Sequence, residues 1–227
     1  MRSDKVFLKN KEKINNIFKK IKSGSLAIEI GPGLGNITKK IVKKFKKTIL
    51  IEKEEKFCTL LKKKYKKSKI VNKDFLKYKI RKKSTIIGNI PYSISKSILN
   101  KLIKEKKKIK KAYIMLQKEL FEAIINAKNT HSFLILLNFR IKNIEHFSGE
   151  DFYPQVKVKS VFFKMKPIKN NFSKKLNNFI NKNYYSFITK KKNNKSVFFK
   201  NFKNKKKNIR VNENLFFLLF YYKMTLN

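Results

Sequence analysis

A carboxylate leading into three closely spaced glycines, Glu29-Ile30-Gly31-Pro32-Gly33-Leu34-Gly35, is the first place where residue types and spacing could do chemistry. Glycine allows a tight turn and lets a ligand approach the backbone closely. The spacing is G-x-G-x-G, not the G-x-G-x-x-G of dinucleotide sites, and Glu29 precedes the first glycine by two positions. A carboxylate there repels a pyrophosphate and tolerates or attracts an ammonium or sulfonium. The pattern therefore favours S-adenosylmethionine over a dinucleotide, with Glu29, Gly31 and Gly33 at the cofactor. Glu52 follows about 20 residues past the turn, where an acid accepts hydrogen bonds from ribose hydroxyls. Asp74, after the next expected strand, is placed to meet an adenine amino group.

A second constellation is Asn89-Ile90-Pro91-Tyr92. An exocyclic amine on a base is a poor nucleophile, because its lone pair is delocalised into the ring. The Asn89 side-chain oxygen and the carbonyl preceding Pro91 can accept both N–H groups and draw that lone pair outward. Pro91 stiffens the carbonyl through its fixed φ and its restriction of Ile90. Tyr92 offers a face for an extruded base, worth about 1–3 kcal/mol per base. Asn89, Pro91 and Tyr92 are the expected catalytic residues.

These residues need a scaffold that brings strand ends together. Ile14, Ile17, Phe18 and Ile21 recur at helical spacing within 11–22. Apolar runs at 26–30, 48–52, 69–71, 85–88 and 112–116 read as strands. The segments between them read as helices, with Ile37, Ile41, Val42 and Phe45 inward on the first. Alternating strands and helices predict a parallel α/β sheet with helices on both faces. Residues 133–139 fit either a helix or a strand. Residues 141–147 and 158–165 read as two late strands forming an antiparallel edge hairpin. Pro167 and the Asn170-Asn171 pair mark a boundary, giving a first domain over 1–167 and a small helical one over 168–227.

Composition narrows the class. The net charge is +45, from 59 Lys+Arg against 14 Asp+Glu, yet only Arg2, Arg81, Arg140 and Arg210 are arginine. Such a field recruits phosphate backbones. Much of it also follows from a bias toward Lys, Asn, Ile, Phe and Tyr, all served by A/T-rich codons, since a selected phosphate surface uses more Arg. Against that bias six Gly and four Pro are scarce, so their clustering at the two motifs is informative. The longest apolar run, 215–222, is far short of the roughly 20 residues that span a bilayer. A lone cysteine, Cys58, forms neither an internal disulfide nor a zinc cluster. His131 and His146 are not at metal-ligand spacing. A cytoplasmic protein without metal or membrane attachment is expected. Lys101 and Lys104, just past Tyr92, are candidates for phosphate contact; the runs at 62–64 and 106–108 read as solvated faces.

The chain resembles the ribosomal RNA adenine-N6 dimethyltransferases of the RsmA/KsgA type. The likeness rests on Glu29 to Gly35, Glu52, Asp74, Asn89-Ile90-Pro91-Tyr92-Ser93-Ile94-Ser95, Leu116-Gln117-Lys118-Glu119, and Phe152-Tyr153-Pro154-Gln155-Val156 with Val158 and Ser160. It implies a seven-stranded Rossmann-like methyltransferase domain with a small all-α C-terminal domain. The implied reaction dimethylates two adjacent adenosines in the 3′-terminal hairpin of small-subunit (16S) rRNA, on an immature subunit, with S-adenosylmethionine as cofactor and a monomeric protein. Gly31 would meet the cofactor's methionine part, Glu52 its ribose, Asp74 its adenine, Asn89 would lie between cofactor and target, and Leu8 matches the N-terminal cofactor-covering segment. Where the family usually reads Gly-Gln-Asn-Phe-Leu, this chain has Asp4-Lys5-Val6-Phe7-Leu8. The Arg-rich C-terminal motif appears as Lys190, Lys191, Lys192, Asn193, Asn194 and Lys195, which keeps the charge without the guanidinium fork. Two alternatives stand beside this reading: a resistance-type methylase acting on large-subunit (23S) rRNA, and a non-catalytic RNA-binding assembly factor.

Overall fold

A computed structural model of the chain describes residues 6–168. The expected domain over 168–227 and its Lys190, Lys191, Lys192 and Lys195 lie outside the described residues, Ile168 excepted.

The chain opens with a short strand, β1 (Phe7–Leu8), and a helix, α1 (Lys11–Lys20). The Asn10 side chain caps α1 by accepting from the Lys13 amide at 3.0 Å, and Ile14, Ile17 and Phe18 face the core. Strands and helices then alternate: β2 (Gly24–Ile30), α2 (Thr38–Lys44), β3 (Phe45–Glu52), α3 (Glu55–Lys64), β4 (Lys69–Asn72), β5 (Ser84–Asn89), α4 (Ser95–Lys104), β6 (Ile109–Gln117) and α5 (Lys118–Ile125). There follow α6 (Thr130–Asn138), β7 (Phe139–Phe147), β8 (Phe152–Tyr153) and β9 (Ser160–Pro167).

Seven strands form one sheet in the order β4-β3-β2-β5-β6-β9-β7. The first five are parallel; β9 runs antiparallel to β6, and β7 antiparallel to β9. The central strands are buried on both faces, as parallel strands sandwiched between helices must be. Ile28, Leu50, Ile86, Ile87, Ile114 and Leu116 are all 1% exposed or less. Each such side chain contributes about 1.5–3 kcal/mol by leaving water. From β2 the chain builds outward through β3 and β4; it then crosses back to place β5 on the other side of β2. Strand order thus reverses between β2 and β5, and a crevice opens at such a point outside the carboxyl ends of the strands.

The expected α/β class and seven-stranded sheet with an antiparallel edge match what is observed. One detail differs. Phe45 is not an inward helix residue: α2 ends at Lys44 and Phe45 opens β3 with no turn between them. Residues 133–139, open between helix and strand, resolve as helix through Asn138, with Phe139 beginning β7. The two late strands pair antiparallel at the sheet edge as expected, with β8 in the connection between them and β9 lying next to β6. The sequence also gave no sign of the two-stranded ladder in which Phe7 pairs with Tyr153 and Leu8 with Phe152.

The chain divides into two compact units. One comprises Met1–Glu122 with Asn138–Ile168 and holds the whole sheet; the described part of the other is Ala123–Leu137. Among the described residues no helix is long and apolar enough to cross a membrane.

Candidate active site

The crevice is a cleft of ≈ 640 Å³ at the carboxyl ends of β2, β3 and β5. Every residue expected at the cofactor or target lines it: Leu8, Glu29, Gly31, Gly33, Glu52, Asp74, Asn89, Pro91 and Tyr92.

The floor is the glycine turn. Gly31 and Gly33 adopt φ of +58° and +54°, a left-handed conformation that L side chains rarely take. They differ in surroundings. A Cβ on Gly31 would meet nothing within 4 Å, so the cleft reaches the backbone there. A Cβ on Gly33 would lie 2.6 Å from Cε1 of Phe7, whose ring forms a roof over the turn. Phe7 in turn packs edge-on against Phe57, ring centroids 5.9 Å apart.

The three acids are held differently. Glu52 is buried, and its carboxylate accepts from the backbone amides of Gly33 (3.0 Å), Lys53 (2.8 Å) and Glu54 (3.0 Å). Those bonds fix both the acid and the turn beneath it. Asp74 caps a single 3₁₀ turn, its Oδ1 accepting from the Leu76 amide at 2.8 Å. Buried Phe75 follows it and gives that end of the cleft an apolar wall. Glu29 is 1% exposed; its Oε2 accepts from the Thr38 hydroxyl at 2.7 Å and its Oε1 has no partner. Burial pushes the Glu29 carboxyl up to about 8, with the Thr38 bond opposing and the Glu52 charge adding.

At the opposite wall, Asn89 ends β5 and its Nδ2 donates to the Val6 carbonyl at 3.1 Å. That bond turns Oδ1 away from Val6 as an acceptor. The Ile90 amide donates to the Met115 carbonyl at 3.3 Å, and no described residue donates to the Ile90 carbonyl. The Pro91 carbonyl, by contrast, is taken by the Ser95 hydroxyl (3.0 Å) and the Ile94 amide (3.3 Å). Tyr92 is tethered at its tip, its hydroxyl 3.0 Å from Ser160 Oγ. Burial pushes the Tyr92 phenol up, the Ser160 bond opposing, so it stays neutral at physiological pH.

The covering segment is anchored through its backbone. The Leu8 carbonyl accepts from Asn36 Nδ2 at 2.9 Å, and the Leu8 side chain is buried in the core. The Lys9 and Asn10 amides donate to the Asp151 carbonyl. The Asp151 side chain accepts from Asn10 Nδ2 (2.6 Å), Lys13 Nζ (2.8 Å) and the Ser148 amide (2.8 Å). Burial alone would raise Asp151; the Lys13 ammonium and these amides outweigh it and hold the carboxyl below its usual range. Thr38, Asn36, Phe57 and Asp151 escape a reading of motifs, because each acts on a residue distant in sequence and sits in no pattern of its own.

Lys101 is a correction. Its Nζ lies 2.6 Å from Glu105 Oε1, its side chain is only 12% exposed, and it sits over the Phe75 ring. A cation paired at i, i+4 and packed on an aromatic face is internal structure rather than a free phosphate ligand. Lys104, one turn on, is exposed. No group of three or more His, Cys, Asp or Glu among the described residues could hold a metal.

Residues 3–215 match the family profile described as Ribosomal RNA adenine dimethylase.

The chain belongs to the ribosomal RNA adenine dimethylase family.

Within that family's reach, a ribosomal RNA small subunit methyltransferase A of Francisella tularensis subsp. novicida is 35% identical over 162 residues, covering 65% of this chain. The match spans 62% of that relative's length. A crystal structure of a dimethyladenosine transferase from Plasmodium falciparum superposes with a TM-score of 0.70 at 25% identity, over 96% of this chain and 90% of that one. The 23S rRNA methyltransferase ErmE shares the fold, with a TM-score of 0.67 at 19% identity over 77% of each chain. The fold is accordingly the Rossmann-like one of these methyltransferases.

Proposed function

We propose that this chain dimethylates the N6 amines of two adjacent adenosines in the 3′-terminal hairpin of small-subunit rRNA, using S-adenosylmethionine. The observation that carries the reading is the pairing of Asn89 Nδ2 with the Val6 carbonyl at 3.1 Å. It leaves two oxygens, Asn89 Oδ1 and the Ile90 carbonyl, as acceptors at one wall of the cleft, which suits an amine with two hydrogens to give. Family membership and the small-subunit methyltransferase likeness support the same substrate.

The cleft suits the donor. An unpartnered carboxyl oxygen on Glu29 suits a cationic amino-acid end, and Gly31 leaves room for backbone contact. Glu52, held by three amides, presents a fixed acceptor to ribose hydroxyls, and Asp74 beside Phe75 suits an adenine. When bound, the donor supplies an electrophilic methyl group.

The protein's part is positioning and hydrogen bonding. Tyr92 stacks on the everted base, and Ser160 holds the ring in place. Asn89 and Ile90 accept the N6 hydrogens, which restores lone-pair density on the nitrogen and aims it at the methyl. Phe7 covers the turn and keeps water from the reacting face. A positioned attack of this kind gains from prepaid orientation and preorganised dipoles. The positive field guides the RNA, with Lys104 and the lysines at 190, 191, 192 and 195 as contacts, and 168–227 as the RNA-contacting domain. The protein works as a monomer in the cytoplasm on immature small subunits.

The test is mass spectrometry of nucleosides from small-subunit and large-subunit particles lacking the modification, each incubated separately with the protein and methyl-labelled donor. Two labelled N6,N6-dimethyladenosines per small-subunit particle are expected. Label confined to large-subunit rRNA, or absent from both, overturns the reading.

A further inference from the structure

Among the described residues, Glu29 is the one cleft acid with a buried oxygen that has no hydrogen-bond partner. In a chain of net charge +45, no described lysine or arginine lies within ion-pair distance of it. The charged and titratable groups facing it are the Glu52 carboxylate from β3 and the Tyr65 hydroxyl after α3; its only bonded neighbour is the neutral Thr38 hydroxyl of α2. β5 presents Ile87 opposite it, which does not titrate. A carboxylate so deeply buried, 1% exposed and with no cation beside it, is costly to keep charged.

The geometry points to Glu29 as the residue that selects ligands carrying an ammonium arm, through an exchange of its own proton for that ammonium. This rests on the donor reading above and refines it. In the ligand-free protein Glu29 is a neutral acid. When the ammonium of an amino-acid-bearing nucleoside reaches Oε1, the O–H bond of Glu29 breaks and the proton leaves to solvent. The carboxylate then accepts an N–H from the ammonium, which keeps all three of its protons. Charge is balanced: one buried positive group enters and one solvated proton departs. The raised proton affinity of Glu29 agrees with this direction. A nucleoside without the ammonium cannot complete the exchange and meets an acid that remains protonated.

Calorimetry on the full chain tests this without any methyl transfer. S-adenosylhomocysteine keeps the ammonium and lacks the sulfonium; 5′-methylthioadenosine lacks the whole amino-acid arm. Titrations at pH 7 in phosphate, Hepes and Tris, whose ionisation enthalpies differ, are expected to show release of about one proton per S-adenosylhomocysteine bound and none with methylthioadenosine. The S-adenosylhomocysteine dissociation constant should fall close to tenfold per pH unit between pH 5.5 and 7, since a released proton favours binding as pH rises. Glu29→Gln should abolish both the proton release and that pH slope. Binding with one enthalpy in all three buffers overturns the exchange and leaves the donor reading standing. Failure of both nucleosides to bind overturns the donor reading itself. The wild-type series decides the matter even if the variant does not fold.

Discussion

Asn89 and Val6 lie 83 positions apart, yet the Asn89 side-chain amide donates to the Val6 backbone carbonyl at 3.1 Å. The segment that departs from its family at Lys5 and Val6 therefore still contributes through a group no substitution removes. Asn89→Ala loses the acceptor facing the target amine. Methyl transfer should fall by about 10²–10³, the usual consequence of removing one preorganised hydrogen-bonding group, while RNA affinity stays within about twofold. Labelled methyl incorporation and filter binding check the two halves separately.

Tyr92 is held at its tip and offers its ring to the base, and the two contributions separate by mutation. Tyr92→Ala should raise the KM for RNA by roughly 10- to 100-fold, the equivalent of one lost stacking contact. Tyr92→Phe and Ser160→Ala each remove only the 3.0 Å tether. Both should change kcat by less than about tenfold and leave KM near wild type, as steady-state kinetics on a hairpin substrate would reveal.

Gly31 and Gly33 share a conformation but not a neighbour, so alanine should report on different things. Gly33→Ala drives a methyl into the Phe7 ring and adds a left-handed backbone cost of about 1–2 kcal/mol. Phe7→Leu in the same chain should recover part of the lost stability. Gly31→Ala carries the backbone cost alone, so Phe7→Leu should give it no relief. Thermal melts of the three single and two double variants form two cycles.

Glu29 makes the ligand-free protein pH-sensitive. The native state keeps this proton from the ordinary value of 4.5 up to about 8, while the unfolded chain gives it up near 4.5. Stability from this group is therefore complete below pH 4.5 and drains away as pH rises toward 8. Glu29→Gln lacks the penalty. It should melt within about 2 °C of wild type at pH 5 and roughly 5–10 °C higher at pH 8.

Asp151 works in the opposite sense. Its carboxyl is held below the usual range, so the stability it contributes is present above the ordinary carboxylate value and lost as pH falls through its depressed one. Asp151→Ala removes four side-chain bonds to the N-terminal segment and its loop, and should cost about 2 kcal/mol near neutral pH. Hydrogen exchange at the Phe7 to Asn10 amides should accelerate in that variant, with the central strands unchanged.

Much of this architecture is legible in the amino-acid order because each central strand is a short apolar run closed by a polar residue. Ile30 leads into Gly31, Ile51 into Glu52, and Gly88 into Asn89; that punctuation marks where strands stop, and the chemistry sits at those stops. Phe45 reads as helix because no turn residue separates it from α2, so helical periodicity runs on into the strand. Lys101 has its partner in Glu105, four residues on, a local signal that argues against a free cation. The Phe7–Leu8 ladder carries no signal of its own, since two residues show no period and their partners lie far along the chain. Glu29's solitude is of the same kind: it depends on which groups fail to come near, and only packing settles that.

The short ladder between Phe7–Leu8 and Phe152–Tyr153 has a consequence for synthesis. During translation Phe7–Leu8 is made long before its partner strand, which follows six of the seven main strands. At about 5–20 residues per second, these residues wait many seconds for that ladder, held over the nucleoside crevice only by their contacts with Asn36, Phe57 and Asn89. The roof is thus stapled down late in synthesis, and a nascent chain cut short before Phe152 should hold its methyl donor less tightly than the full chain.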